Sequence, residues 1–208
     1  MIARPVRVAY QGAPGAFSED AIASFFGARD MERVPQREFA AVRTAVLDGT
    51  ATYGVLPVRN SIHGDVTASL DAFNAGGLDV IGEVTCPVRL CLLALPGARP
   101  EQIRRVLSHP VALAQCRSFL AGMPLLEAVS FYDTAGAAEE VALRGDPAQA
   151  AVASYRAAAH YELDIIAADI EDCSDNRTRF MIVAARSHTH AATTGGDHVQ
   201  GIRQRGSR

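Results

Sequence analysis

The amino-acid sequence predicts an α/β fold, in which short strands alternate with helices. Apolar runs of strand length, such as residues 6–10, precede segments with helical periodicity, such as residues 18–26. Glycine-rich or polar loops, such as residues 11–15, separate the two. The 208 residues are 49% hydrophobic and 21% charged, enough for a packed core in one globular unit or two small lobes. We therefore expect a mostly parallel sheet system covered by helices.

The same alternation continues along the chain. The predicted strands are residues 6–10, 53–57, 80–84, 90–95, 106–108, 128–131, 150–153, 165–167 and 180–184. The predicted helices are residues 18–26, 39–47, 65–74, 110–120, 135–143 and 155–161. Gly27 and Gly49 follow two of these helices as stop signals, and Pro110 begins another. Residues 187–208 have no apolar period, so we expect a disordered tail.

Composition excludes several classes of function. The formal net charge of -3 lacks the basic surface that nucleic-acid binding requires. The sequence contains no lysine, which excludes Schiff-base catalysis and the phosphate-binding loop that ends in lysine. The four cysteines form no CxxC pair or zinc-type spacing, so we expect neither a metal nor a cofactor. No signal peptide or membrane span is evident, and we expect a cytoplasmic protein.

Four polar loops lie at predicted junctions between a strand and a helix: residues 11–18, 57–64, 108–116 and 132–138. Each is compatible with simple helix capping or with ligand contact. In the second loop, Asn60 and Ser61 are expected at a helix N-terminus, where polar donors converge. In the third, His109 is either an acid or base or a capping residue, and Gln115 can point into a cleft.

Residues 176–180 place the hydroxyl of Thr178 and the guanidinium of Arg179 at the start of a predicted buried strand. Ligand crevices in open α/β sheets lie at strand ends, and a hydroxyl beside a fixed cation suits a carboxylate. A polar strand edge with a solvated Arg179 is the alternative.

Together these segments resemble the catalytic domain of the prephenate dehydratase family. The similarity runs in order through most of residues 6–185, and its most specific part extends from residue 151 to Phe180. The resemblance implies two α/β lobes around a cleft, similar to type II periplasmic binding proteins. Residues 1–84 and 164–186 would form the first lobe and residues 85–163 the second. The family also tends to form homodimers.

The resemblance implies that prephenate loses water and carbon dioxide to give phenylpyruvate, within phenylalanine biosynthesis. We expect Thr178 to donate a proton or hydrogen bond to the departing hydroxyl and Arg179 to bind the side-chain carboxylate. Phe180 is either a cleft wall or an ordinary strand residue. The other positions that the resemblance assigns to the cleft are Ser18, Asn60, Ser61, Gly64, Gln115 and Thr134.

Two departures from the family pattern leave alternatives open. Arg59 stands where the family commonly has Glu, which could retune affinity or indicate another acidic ligand. No phenylalanine-binding ACT domain follows residue 185, so feedback inhibition through such a domain is not expected. Arogenate is an alternative substrate, and a non-aromatising prephenate decarboxylase is an alternative enzyme. A non-catalytic small-molecule-binding module is the alternative outside enzymes.

Overall fold

Two β-sheets, each flanked by helices, build the computed structural model, which describes residues 5–27, 29–123 and 125–186. The strands are β1 (Val6–Gln11), β2 (Met31–Gln36), β3 (Tyr53–Asn60), β4 (Gly64–Asp65), β5 (Leu78–Pro87), β6 (Cys91–Ala94), β7 (Arg105–Ser108), β8 (Glu127–Ser130), β9 (Gln149–Ala153), β10 (Asp164–Ala167) and β11 (Arg177–Ala185). The helices are α1 (Phe17–Phe26), α2 (Phe39–Leu47), α3 (Thr67–Asn74), α4 (Pro110–Gln115), α5 (Arg117–Ala121), α6 (Thr134–Arg144) and α7 (Tyr155–His160), with a 3-10 helix at Pro100–Gln102. The expected tail and the question of an ACT domain lie outside the described residues.

The first lobe contains the sheet with strand order β2-β1-β3-β11-β5, and β4 pairs with β3. One face of this sheet packs on α1 through a cluster that includes Tyr10, Val55 and Phe180. The other face packs on α2 and α3 through Leu56 and Val183. Successive side chains of each strand point to opposite faces of the sheet, as in any pleated strand.

The second lobe contains the sheet with strand order β10-β6-β9-β7-β8. Strand β9 (Gln149–Ala153) is buried throughout, as expected for a central strand covered on both faces. The cluster that packs α1 continues into this lobe through Leu93, Ala135 and Ala151. The two lobes therefore share one stretch of apolar core.

Two chain segments connect the lobes and lie side by side. Residues 88–90 run from β5 to β6, and residues 168–176 return from β10 to β11. The amide of Ile170 donates to the carbonyl of Leu90 at 2.9 Å, and the amide of Val88 donates to the carbonyl of Asn176 at 2.8 Å. The backbone just before Thr178 is therefore bonded to the outgoing connection.

The fold class predicted from the sequence, two α/β lobes around a cleft, is confirmed, but several details are not. The sheets are mixed rather than mostly parallel, because β11 is antiparallel to both β3 and β5 and β6 is antiparallel to both β9 and β10. The expected lobe boundary at residue 164 is wrong for β10, which pairs with β6 in the second sheet.

Local structure corrects three more expectations. Asn60 ends β3 and Ser61 follows it in a turn, whereas the nearest helix begins only at Thr67. The expected helix over residues 110–120 is divided at Cys116 into α4 and α5. Strands β2 and β4 were not predicted, since β2 carries a proline and charged residues, and β4 has only two residues.

Candidate active site

A cavity of about 470 Å³ lies between the lobes, next to the start of β11. It is lined from the first lobe by Asn60, Gly64 and Thr178 and from the second by Gln115 and Thr134. A smaller adjoining cavity of about 210 Å³ shares several of these residues and adds Ser18 and Phe180. We refer to both cavities together as the cleft. Its volume is in the usual range for a small-molecule site.

The side chain of Asn60 connects β3 to the first residues of β11. Its Nδ2 donates to Oγ1 of Thr178 at 3.0 Å, to Oδ1 of Asn176 at 2.8 Å and to the carbonyl of Arg177 at 3.2 Å. Strand pairing brings the residues together, since Asn60 is the register partner of Thr178. Thr178 is 9% exposed, so its hydroxyl is largely shielded from bulk water.

The orientation of the Asn60 amide is set by the backbone that follows it. Its Oδ1 accepts from the amides of Ile62 and His63, each at 3.0 Å. Because these donors require an oxygen, the nitrogen must face Thr178. The Thr178 oxygen therefore accepts a hydrogen bond from Asn60, and its own proton is free to be donated elsewhere. In the cleft, that makes Thr178 a hydrogen-bond donor toward a bound ligand.

Ser61 supports this arrangement without lining the cleft. Its hydroxyl donates to the carbonyl of Asp175 at 3.0 Å and accepts from the amide of Arg177 at 2.9 Å. Asn176, between these two residues, is completely buried, and its Nδ2 has no partner among the described residues. The predicted site residue Ser61 thus holds the entry to β11 in place.

The second lobe contributes the first turn of α6. Asp133 caps this helix, with its Oδ1 accepting from the amide of Gly136 at 2.6 Å. Its Oδ2 accepts from the amide of Ala13 at 3.1 Å, so the same carboxylate joins the two lobes. Thr134 begins α6 and lines both parts of the cleft. Ser18, in the first turn of α1, faces the smaller part from the opposite lobe.

Two helix N-termini therefore flank the smaller part of the cleft, one from each lobe. The amides in the first turn of a helix have no acceptor within the helix, and the helix dipole makes this end favourable for anions. Such an arrangement suits a carboxylate without a cationic side chain.

Gly64 and Gln115 line the larger part of the cleft, as expected. Gly64 has φ +79°, while a Cβ built there would meet no atom within 4 Å, so the backbone conformation rather than space favours glycine. Phe180 is 2% exposed and forms a wall of the smaller part, which combines both of its expected roles.

His109 also lines the cleft, and its Nδ1 accepts from the amide of Val111 at 3.2 Å as the cap of α4. In the neutral imidazole this leaves the proton on Nε2. The sequence analysis left capping and acid-base roles open for His109, and the structure shows the capping bond.

Arg179 does not reach the cleft. It is absent from the lining of both parts of the cleft, and its side chain is 50% exposed with Nη1 3.6 Å from Oε2 of Glu83. The reason is the alternation of side chains along a strand, which turns Arg179 to the face opposite Thr178. The expected carboxylate clamp is therefore not formed by this residue in the structure.

Carboxylates rather than guanidinium groups border the cleft. Among the described residues, its lining includes Asp65 and Asp133 but no arginine. Arg59, the departure noted in the sequence, lies outside the lining and bonds Oδ1 of Asp65 at 2.9 Å, with both side chains more than half exposed. Sequence analysis missed both carboxylates, although Asp133 directly precedes Thr134 in a loop that it singled out.

The glycine loop after β1 is supported by a buried carboxylate. Oε1 of Glu19 accepts from the Tyr10 hydroxyl at 2.6 Å and from the amide of Gly15 at 3.2 Å. Burial, together with the bond to Glu19, raises the pKa of Tyr10 far above its ordinary value. Tyr10 thus remains a neutral donor that fixes Glu19 beneath the loop.

Within the described residues, no cluster of three or more His, Cys, Asp or Glu side chains could hold a metal ion. None of the helices in that part of the chain is long and apolar enough to cross a membrane.

Comparison with known proteins gives a consistent result. The family profile described as prephenate dehydratase matches residues 8–188. Arogenate dehydratase/prephenate dehydratase 2 of Arabidopsis thaliana, a chloroplastic protein, is 46% identical over 180 residues, covering 86% of this chain and 46% of that protein. The chain spans less than half the length of this curated relative.

Two solved structures are similar over the same part of the chain. Prephenate dehydratase from Arthrobacter aurescens, determined in complex with L-Phe, has a TM-score of 0.79 and 33% identity, covering 86% of this chain and 60% of that one. A structure described as GqqA, a novel type of quorum quenching acylase, has a TM-score of 0.76 and 38% identity, covering 86% and 64%.

Proposed function

Because the chain belongs to the prephenate dehydratase family, we propose that it converts prephenate to phenylpyruvate, as a hydro-lyase of phenylalanine biosynthesis. The observation that carries this proposal is the hydrogen bond from Asn60 to Oγ1 of Thr178, which leaves the threonine proton available to a substrate in the cleft.

The reaction requires few catalytic groups. The ring C–O bond breaks as the hydroxyl leaves with a proton, and the C–C bond to the ring carboxylate breaks as carbon dioxide leaves. The electron pair of that C–C bond completes the aromatic ring. Aromatisation supplies a large driving force, so the enzyme mainly orients the substrate and assists loss of hydroxide. We assign that assistance to Thr178, which passes a proton to the departing hydroxyl as part of a relay and takes a proton from solvent in return, so that each turnover consumes one solvent proton.

The first turns of α1 and α6 take over the carboxylate binding that the sequence assigned to Arg179. Their amides bind through neutral dipoles, and Ser18 and Thr134 add hydroxyls. The carboxylate that stays on the product is the better candidate for this contact, since stabilising the leaving carboxylate would slow its departure.

Turnover with purified protein and prephenate tests the assignment. We expect phenylpyruvate, identified by mass and ultraviolet spectrum. Thr178→Val, which removes the hydroxyl at similar volume, should lower kcat, and Thr178→Ser should retain much more of it. A non-aromatic decarboxylated product would indicate the decarboxylase instead, and binding without turnover would indicate a non-catalytic binding module.

Arogenate is a second candidate substrate, and the charge of the cleft favours it. Arogenate carries an ammonium group where prephenate has a keto group. Asp133 lines both parts of the cleft and forms no ion pair with a described residue, whereas Asp65 is paired with Arg59. The name of the Arabidopsis relative includes both activities. If Asp133 selects the ammonium group, Asp133→Asn should lower kcat/KM for arogenate more than for prephenate. Equal changes for the two substrates would count against this selection.

We further propose a cytoplasmic location and a homodimer. The absence of disulfides among Cys86, Cys91, Cys116 and Cys173 supports a reducing compartment. Strand β5 ends its sheet with ten residues, and a long edge strand of this kind can pair with a second copy. Light scattering during size-exclusion chromatography would test the dimer, and a monomer mass would refute it.

A further inference from the structure

A second cavity, of about 360 Å³, lies next to the cleft, and Phe17 lines both. We call it the rear cavity. Its lining includes Asp20 and Ser24 of α1, Arg89 of the connection between the lobes, and Arg156 of α7. Among the described residues, Phe17 is the only one that it shares with either part of the cleft. The rear cavity is thus a separate space built from both lobes.

The rear cavity differs from the cleft in the charged groups that line it. Its lining contains two guanidinium groups, from Arg89 and Arg156, and one carboxylate, from Asp20. Cys86 and Tyr155 also line it, and desolvation raises the pKa of both, that of Tyr155 to about 12. Both therefore remain uncharged near neutral pH. Each guanidinium is paired with a carboxylate, Arg156 with Asp20 and Arg89 with Glu171, so the rear cavity offers cationic hydrogen-bond donors rather than a net charge.

Both arginines have donors beyond those used in their ion pairs. Arg156 directs Nε and Nη2 to a single oxygen of Asp20, at 2.9 and 2.7 Å. Arg89 directs Nη1 to Glu171 at 2.7 Å, and Glu171 is 2% exposed and outside the lining. A guanidinium has five N–H donors, so each arginine can bind a further anion while its pair remains intact.

The other walls of the rear cavity suit an apolar body. Phe17 and Pro87 offer apolar surface, and the hydroxyls of Ser24 and Thr85 lie among the lining groups. A volume of about 360 Å³ is near the lower end of the range for small-molecule pockets. We propose that the rear cavity is a second ligand site, which binds a small organic monocarboxylate through Arg89 and Arg156.

Ligand binding there would affect the cleft through Phe17. A ligand that packs on one side of this ring restricts its position on the other side, where the ring lines the cleft together with Thr178 and Thr134. The ligand would also contact both lobes and so fix their relative position. The site is therefore placed to regulate whatever reaction the cleft performs.

Calorimetric titration of the full chain with 3-phenylpropionate tests the site without depending on catalysis. We expect one equivalent to bind in the rear cavity, in addition to any that the cleft binds as an analogue of phenylpyruvate. 3-Phenylpropanol, which has the same skeleton without the carboxylate, should bind the rear cavity much more weakly. Arg156→Gln should weaken binding by about tenfold or more, the cost of one charge-assisted hydrogen bond. Arg144→Gln is the matched control, since it also breaks a surface ion pair but lies on α6 outside the lining.

A second variant separates the rear cavity from other sites. Ser24 is exposed and lies outside the cleft lining, so Ser24→Trp should fill the rear cavity while the protein stays folded. We expect it to remove the equivalent bound in the rear cavity and to leave any binding in the cleft unchanged. The proposal is overturned if wild type does not bind, if the alcohol binds as tightly as the acid, or if Ser24→Trp binds as many equivalents as wild type. It is also overturned if Arg156→Gln retains full affinity at every site.

Discussion

Asn60→Asp tests whether the proton of Thr178 is directed by its neighbour. The new carboxylate keeps one oxygen for the amides of Ile62 and His63, which now bond Oδ1 at 3.0 Å. Its other oxygen replaces the Nδ2 donor that faces Thr178 Oγ1 at 3.0 Å. Because a carboxylate only accepts, the Thr178 hydroxyl must turn and donate to it. The substrate then loses its proton donor.

The expected magnitude follows from the two parts of this change. Removing one general acid typically lowers kcat by about 10²–10⁴-fold, or about 3–5 kcal/mol of barrier, and we expect about 10²–10³-fold for Asn60→Asp. Stability should fall by about 1–2 kcal/mol. Thr178 can donate to the new carboxylate, and rotation of the Asn176 amide would replace the Oδ1 that now faces Asn60 by the unpartnered Nδ2. The Arg177 carbonyl then remains unfavourably placed.

Steady-state kinetics at saturating substrate, with urea unfolding as the check on folding, provide the assay. Asn74→Asp is the matched control, because it makes the same change at an exposed position near the end of α3. If Asn60→Asp retained kcat within about threefold of wild type, hydrogen-bond direction would not matter and Thr178 would not be the acid.

Three further predictions follow from single contacts. Gly15→Ala, at φ +88°, places a Cβ only 2.7 Å from Cα of Ala157 and should lower the free energy of unfolding in urea by about 2–4 kcal/mol. Gly97→Ala, which has a similar positive φ but open space around its Cβ, should lower it by about 1 kcal/mol. Equal losses for the two variants would refute the clash. Arg179→Gln should keep kcat/KM within about threefold, since it breaks only an exposed ion pair, and a loss of about 100-fold would restore the clamp. Tyr10 has a raised pKa in the folded state, so the unfolded chain loses this proton at lower pH, and the free energy of unfolding should fall as pH rises above 10.0. Tyr10→Phe should flatten that fall in unfolding measured from pH 9 to about 11. An unchanged slope would contradict the pKa shift.

The sequence was most informative where a pattern reflects local physics. Helix α2 was predicted with its observed bounds because an apolar face and a following Asp48-Gly49 define both its length and its end. The direction of the strands and their neighbours in the sheet could not be predicted from the sequence. The return of β11 between β3 and β5 makes the first sheet mixed, and no local pattern encodes which distant strand will be a neighbour.

The residues of the candidate site likewise include some that were predicted correctly and some that were not. Thr178, Asn60 and Thr134 were placed at the cleft through the resemblance to the family, and they line it. Arg179 was assigned beside Thr178 because the two are adjacent in sequence, but adjacent residues of a strand point to opposite faces. Asp133 was missed for a related reason: its contact with the amide of Ala13 joins loops that are 120 residues apart.

The connection between the lobes has a consequence for the timing of catalysis. Asn176 ends the returning segment, its carbonyl bonds the outgoing segment at Val88, and its side chain bonds Asn60 beside Thr178. Thr178 and Asn60 are register partners in the sheet of the first lobe, so they keep their relative position if the second lobe rotates about this connection. Such a rotation would instead change the distance from the proton donor to Gln115 and Thr134, and the angle between the lobes would then decide when a substrate touches both.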